Sequence, residues 1–305
     1  MRFMIVGPGA MGLLFAARLR KFADQDVMLL DYKKERADLL NKKGIKVEGI
    51  RGEFHVHVPA LTGEEVTIAP DFVMIFVKAY NTRDVAYEIK GIIEPDTLVI
   101  TLQNGLGNIE ALEAIIERKV YGGITAEGAT LLGPGHVRHA GYGDTIIGPF
   151  HERLSNLRDI LDKAGFRTEI RDDIDGIVWG KLMINIAINP LTAITRLKNG
   201  MLPRIDGTRR IMDECLKEAM EVARKKGIKL PYDDPVEKAR EVCIKTAGNI
   251  SSMLQDVLAG RPTEIDFLNG AIVREAERLG ISAPVNNTLV HLVHAIQETY
   301  QERMV

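Results

Sequence analysis

Residues 3–12, FMIVGPGAMG, decide the fold of this chain, because a four-residue apolar run is followed at once by glycines spaced G-x-G-x-x-G. An apolar-rich stretch of helical length, residues 13–22, comes next, so the segment reads as strand, tight turn and helix. Each glycine has its own reason to lack a side chain. Gly7 makes the turn, Gly9 lets the backbone approach a pyrophosphate, and Gly12 lets the helix pack close to the strand. The helix N-terminus then faces the anion, with Ala10 and Met11 in its first turn. Pro8 takes one N–H from the turn without preventing it. Gly7, Gly9, Ala10, Met11 and Gly12 are therefore candidate dinucleotide contacts.

Outward from this motif, residues 27–30 form a second apolar run that ends in Asp31, 19 residues beyond Gly12. An acidic side chain at that place accepts hydrogen bonds from the adenosine ribose and favours NADH; the alternative is a simple helix N-cap. Lys33 and Lys34 are near enough to reach a 2′-phosphate, which pulls the other way. The continuous apolar runs 72–77 and 98–102 have the composition of strands buried on both faces of a parallel sheet. They end in Lys78 and in Gln103-Asn104-Gly105. Ligands of such sheets sit at the carboxyl ends of strands, so Lys78 and Asn104 are candidates for cofactor contact, against the alternative of ordinary strand-end polar residues. Helical patterns at 83–92 and 109–118 separate the strands. Alternation in 45–48 and 54–58 predicts a hairpin with His55 and His57 on one face. With no third ligand nearby, neither this pair nor His291 with His294 makes a metal site. Residues 120–148 are strand-like and turn-rich, and a helix at 152–164 with a strand at 166–170 closes the first domain.

The bulk properties narrow the class. A chain of 305 residues predicts two domains of roughly 150 residues each. With 46% apolar residues, 27% charged residues and a formal net charge of −2, there is no basic surface to bind nucleic acid or an acidic membrane. The two cysteines, Cys215 and Cys243, are too few for a disulfide framework or a thiolate zinc site, and point to a reducing compartment. No unbroken apolar run approaches the ~20 residues of a membrane span, and the N-terminus enters a strand directly. The expectation is a cytoplasmic protein with no membrane, nucleic-acid or metal partner.

After residue 172 the character changes to long helical stretches, at 174–189, 204–226, 236–258, 264–279 and 287–301. The fold class is thus α/β: an N-terminal Rossmann-type dinucleotide-binding domain over 1–172, followed by an all-helical C-terminal domain over 173–305. The first of these helices contains VWGKLMINIAINPLTA, residues 178–193. Steps of four advance each residue by about 40° around the axis, so Lys181, Asn185 and Asn189 share a polar stripe flanked by Leu182, Ile184, Ile186 and Ile188. A lysine desolvated in this way is a proton donor suited to neutral pH; the alternative is a side chain that snorkels to solvent.

Taken together, GPGAMG, VKAYNT, QNGLGN, WGKLMINIAINPLTA, NISSMLQD and RPTEIDFLNG, in this order across both domains, resemble the ketopantoate reductases (2-dehydropantoate 2-reductases). The resemblance implies reduction of 2-dehydropantoate to pantoate, on the route to pantothenate and coenzyme A, by NADPH or NADH. Lys181 would be the general acid and Glu264 would engage the reacting oxygen. Asn185, Asn189, Asn249 and Ser252 would hold substrate, and Asn104 would lie near both nicotinamide and substrate. Lys78 would contact the cofactor phosphate. The family's usual cofactor is NADPH, whereas Asp31 stands where many members have a basic residue, which suggests that NADH is used or preferred. The resemblance also implies a homodimer through the helical domain, which would bind the substrate, and the site's use of both domains suggests a hinge at 171–175. The alternatives are another hydroxy-acid dehydrogenase on the same plan, and a non-catalytic dinucleotide-binding redox sensor.

Overall fold

A computed structural model describes residues 1–302 and divides into two compact units. The first comprises Met1–Gln103 and Asn108–Ile174; the second comprises Asn104–Gly107 together with the chain from Asp175 onward.

The first unit carries strands β1 (Arg2–Val6), β2 (Asp26–Leu30), β3 (Ile45–Gly49), β4 (Phe54–Val56), β5 (Ala60–Leu61), β6 (Phe72–Ile75), β7 (Leu98–Thr101), β8 (Val120–Thr125), β9 (Gly128–Gly133), β10 (His136–Gly141), β11 (Thr145–Gly148) and β12 (Thr168–Ile170). Its helices are α1 (Ala10–Phe22), α2 (Lys34–Lys43), α3 (Thr82–Lys90), α4 (Asn108–Ile116) and α5 (Glu152–Lys163). Eight strands form one sheet in the order β12-β11-β8-β7-β6-β1-β2-β5, parallel except where β11 meets β8. Both faces of this sheet are covered, which explains the unbroken apolar runs. Along β1, Phe3 and Ile5 join the core under α1 and α5, while Met4 and Val6 join the core under α3 and α4. On the first face Phe15 of α1 stacks on Phe166 at 3.9 Å between ring centroids.

The predicted hairpin forms as β3 and β4, but it belongs to a second, four-stranded sheet in the order β4-β3-β10-β9. There β10 pairs parallel to β3, with His136 opposite Lys46. Local alternation carries no trace of a partner so distant in sequence. Buried charge ties this sheet to the main layer: His139 Nε2 lies 2.5 Å from Glu127 Oε2, and Arg51 Nη2 lies 3.8 Å from Glu127 Oε1. Arg18 of α1 donates to the Ala164 carbonyl at 2.7 Å, and Arg51 donates to that of Gly165. Burial and the neighbouring Arg51 push the Arg18 guanidinium down to about 10, although Glu127 opposes the shift.

The second unit is helical: α6 (Ile174–Thr195, entering from the first unit), α7 (Asp206–Lys226), α8 (Pro235–Lys245), α9 (Ser252–Leu258), α10 (Asn269–Arg278) and α11 (Pro284–Glu298). Four of the helical stretches differ from the sequence expectation, the last of them only by a shift: α11 spans Pro284–Glu298 where 287–301 is expected, since Pro284 is accommodated in the first turn. Firstly, α6 does not stop before Pro190 but runs through it to Thr195. Pro190 offers no N–H to the Ile186 carbonyl four residues back. That carbonyl instead accepts from the Asn269 side-chain amide at 3.1 Å, and the other amide proton goes to Asn286 Oδ1 at 2.9 Å. Asn269→Ala removes both donors from a buried site and is expected to destabilise the protein by about 1–3 kcal/mol for each group left unpaired. Chemical denaturation checks this, and a loss below ~1 kcal/mol would contradict the account of how the helix passes its proline.

Secondly, the expected 236–258 helix is two helices. Asp234 caps α8 by accepting from the Val236 and Glu237 amides. Ser251 restarts the chain as the α9 cap, accepting from Leu254 N at 3.0 Å. Thirdly, the expected 264–279 helix begins as a single 3₁₀ turn, Ile265–Phe267, and only then becomes α10. The Phe267 carbonyl is used elsewhere: it accepts from Leu106 N at 3.0 Å. Helix α6 is long and apolar enough to cross a membrane by length and composition, but 72% of its apolar window is buried within the protein, as a core helix requires.

Candidate active site

In the first unit, β2, β1 and β6 are adjacent and parallel, so Asp31, the glycine turn and Lys78 follow three neighbouring carboxyl ends. Gly7 and Gly12 have steric reasons to lack a side chain. Gly7 has φ +95°, and a Cβ there would lie 2.8 Å from Val77 N, against the strand extension that leads into Lys78. A Cβ on Gly12 would lie 2.1 Å from the Gly7 carbonyl oxygen. At Gly9 the same atom meets nothing within 4 Å, so the open space lies over the start of α1, whose N-cap has no side-chain hydrogen bond. The cradle offers backbone N–H groups and the positive end of the helix dipole, features that could hold an anion, and Ala10 and Met11 are the first helical residues. Lys78 is half-buried and precedes the short turn Ala79–Asn81. Its backbone neighbour is fixed by Gln103, whose amide donates to the Val77 carbonyl and to Thr82 Oγ1, both at 2.9 Å.

Asp31 is buried, with 1% of its surface exposed, and does not cap α2, whose N-cap is Lys33. Both its oxygens are engaged. Oδ1 accepts from Arg36 Nη2 at 2.6 Å and from Lys33 N at 3.0 Å, and Oδ2 accepts from Arg36 Nε. Lys33, Lys34 and Arg36 read from sequence as one solvated basic cluster, whereas Arg36 is in fact paired with the buried Asp31. Lys34 is committed to Glu65 and Asp38.

In the second unit, α6 carries Lys181, Asn185 and Asn189 on successive turns. Its other faces bury Trp179, Leu182, Met183, Ile186 and Leu191 in the helical core. Lys181 and Asn185 keep partial exposure and Asn189 is buried. Desolvation pushes the Lys181 ammonium down to about 8, while the negative charge of Glu264 works to raise it. The two predicted catalytic residues are thus electrostatically coupled. Glu264 is itself buried, and its backbone is fixed because its carbonyl accepts from the Phe267 and Leu268 amides at 3.0 and 3.1 Å.

Asn104 keeps company with this turn. A Cβ on Gly105, at φ +87°, would lie 2.3 Å from the Phe267 carbonyl oxygen, so only glycine lets the 104–107 segment approach as Leu106 bonds to Phe267. Nothing in the local sequence announces that a strand-end tetrapeptide packs with the helical unit. Ser252 is exposed at the first position of α9, and its neighbour Ser251 is the buried one, 2.6 Å from Thr192 Oγ1 of α6. Thr192 also donates to the Asn189 carbonyl at 2.9 Å, so the NISS segment is tied to the asparagine stripe through residues that sequence reading left out of the site. Asn249 has an exposed side chain, and its carbonyl accepts from Asn199 N at 3.0 Å.

A largely parallel sheet with a glycine turn of the dinucleotide-binding kind, together with a helical unit in which a desolvated lysine feels the charge of a buried carboxylate, defines a two-domain nicotinamide-dependent oxidoreductase. Residues 3–152 match the family described as ketopantoate reductase PanE/ApbA, and residues 173–297 match its C-terminal domain; the chain belongs to the ketopantoate reductase family. It is 38% identical to a 2-dehydropantoate 2-reductase of Archaeoglobus fulgidus, over 97% of this chain and 98% of that protein. Among solved structures it resembles a PanE/ApbA family ketopantoate reductase from Ralstonia eutropha JMP134, with a TM-score of 0.93, 34% identity and coverage of 99% and 100% of the two chains. A ternary structure of D-mandelate dehydrogenase with NADH and anilino(oxo)acetate is similar at a TM-score of 0.90 and 28% identity, over 99% of this chain and 100% of that one.

Proposed function

We propose that this protein reduces 2-dehydropantoate to pantoate, with Lys181 as the general acid. The observation that carries the reading is Lys181 in line with Asn185 and Asn189 on α6, its ammonium lowered to about 8 by burial and supported by the charge of Glu264. A bound dihydronicotinamide supplies the hydride. As the ketone carbon is reduced, negative charge builds on its oxygen, and Lys181 Nζ donates a proton to that oxygen. A group with its pKa near 8 is mostly protonated at pH 7 and recovers its proton from solvent after turnover. Glu264 favours the charged ammonium and orients it. Asn185, Asn189, Asn249, Ser252 and Asn104 hold the carboxylate and hydroxyl ends of the substrate, a positioning effect. Lys78 contacts the cofactor phosphate, and Gly7, Gly9, Ala10, Met11 and Gly12 hold the pyrophosphate. The helical unit also forms a homodimer, and the protein acts in the cytoplasm, which agrees with two free, buried cysteines.

The likeness to D-mandelate dehydrogenase favours one second reading, a dehydrogenase for an aryl hydroxy acid. A redox sensor would have no use for the Lys181 and Glu264 pair. Steady-state rates on 2-dehydropantoate and on phenylglyoxylate separate the two enzymes. The expected kcat/KM ratio is roughly 100-fold or more in favour of 2-dehydropantoate, because a site built to bond the substrate's hydroxyl penalises an analogue without it. The reverse ratio would establish the second reading.

A further inference from the structure

Helix α6 carries its polar stripe across a gap in its own main-chain hydrogen bonding. Pro190 has no N–H, so the bond from position 190 back to the Ile186 carbonyl is missing, and the proline ring crowds that carbonyl. Ile186 directly follows Asn185, and Pro190 directly follows Asn189. The gap therefore separates Lys181 and Asn185, on the upstream half of the helix, from Asn189. A helix that has lost such a bond bends about the break unless another group takes its place. Yet α6 continues to Thr195.

The replacement is the end of an ordered chain of donors. The Glu218 carboxylate of α7 accepts from Val285 N at 2.8 Å, Asn286 N at 3.0 Å and Asn286 Nδ2 at 2.7 Å. The Asn286 amide also donates to the Cys215 carbonyl at 2.9 Å. With its amino group committed to two acceptors, Asn286 turns Oδ1 towards Asn269. Asn269 must then present its own amino group, one proton to Asn286 Oδ1 and the other to the Ile186 carbonyl, because the reversed amide would set its oxygen against two acceptors. Both asparagines are fully buried, and among the described residues Asn269 Oδ1 has no hydrogen-bond partner. This site uses Asn269 for its donors and leaves its acceptor unpaired. Downstream, the stripe is held by a separate set of contacts: the Asn189 carbonyl accepts from Thr192 Oγ1, which lies 2.6 Å from Ser251 Oγ.

We infer that Asn269 is a positioning residue for the reaction: by supplying the donor that Pro190 lacks, it fixes Asn189 relative to Lys181 and Asn185, and with them the helix face that grips the keto acid. It acts through the Ile186 carbonyl. This rests on the reading of that stripe as the substrate site.

The test compares the wild type, Asn269→Ala, Pro190→Ala and the double variant as full chains, under conditions where denaturation curves show them folded. Pro190→Ala restores a backbone N–H opposite the Ile186 carbonyl and makes the side-chain donor redundant there. In the wild-type background Asn269→Ala should lower kcat/KM for 2-dehydropantoate by about 10- to 100-fold, the cost of a small misplacement, and leave NADPH affinity within about twofold. Amide hydrogen exchange in the α6 turns around the proline should quicken. In the Pro190→Ala background the same substitution should change kcat/KM by less than about threefold and leave exchange slow, although Asn286 Oδ1 still loses its donor and stability still falls. A merely structural role would move stability alone. Folded Asn269→Ala with wild-type kcat/KM would overturn the inference, and so would a loss of about tenfold or more in the Pro190→Ala background. If Asn269→Ala does not fold by itself, Pro190→Ala against the double variant decides in the same way. Exchange quickened by Asn269→Ala and slowed again by Pro190→Ala, with no turnover of 2-dehydropantoate by the wild type, would uphold the fixing of the stripe while the proposed reaction fell.

Discussion

Lys181→Ala is expected to lower kcat with 2-dehydropantoate by roughly 10²–10⁴, the usual worth of a positioned general acid, with nicotinamide nucleotide affinity unchanged. The side chain belongs to the helical unit and the glycine cradle to the first, so losing the ammonium removes proton donation and leaves the pyrophosphate contacts in place. The fold should survive as well. Lys181 is half-buried on the polar stripe, and α6 is anchored by its opposite faces through Leu182, Met183, Ile186 and Leu191. Removing an ammonium that burial holds below its ordinary pKa relieves a desolvation cost, so the variant should be no less stable than the wild type near pH 7. Separate steady-state and binding measurements check both parts, and a variant that turns over within about threefold of the wild type would remove Lys181 from the mechanism.

The second large effect is on pH dependence. A general acid works while protonated, so kcat/KM should fall as pH rises through the pKa of Lys181 in the free protein, about 8. Glu264 raises that pKa, so Glu264→Gln withdraws the support and moves the alkaline limb to lower pH. Below the shifted limb the variant should recover most of its rate if Glu264 acts only through the ammonium. A rate depressed equally at every pH, with the limb unmoved, would instead place the carboxylate directly on the reacting oxygen. Glu264→Gln thus separates two roles that proximity in the fold leaves joined.

What the sequence disclosed and what it withheld follow from the range of the interactions. The strand, glycine turn and α1 are encoded within 20 residues, and their steric reasons are visible in the glycines themselves. The Lys181 stripe was equally legible, because a repeat of four on a helix needs no distant partner. The pairing of β10 with β3 was hidden, since each strand alternates alone and neither names the other. So was the passage of α6 through Pro190, which depends on an amide from Asn269. The placement of Asn104 beside the Glu264 turn depends on one backbone bond from Leu106 to Phe267. Asp31 is the instructive case: it follows β2 as the apolar run predicts, but local sequence does not say whether Arg36 points at solvent or at a carboxylate five residues earlier.

The most direct test of the whole account is NADPH oxidation by the purified protein with 2-dehydropantoate as acceptor, with pantoate identified as product and NADH run in parallel. Turnover is expected to require the keto acid, with one pantoate formed for each NADPH consumed. Nucleotide binding without oxidation of either cofactor in the presence of 2-dehydropantoate would contradict it.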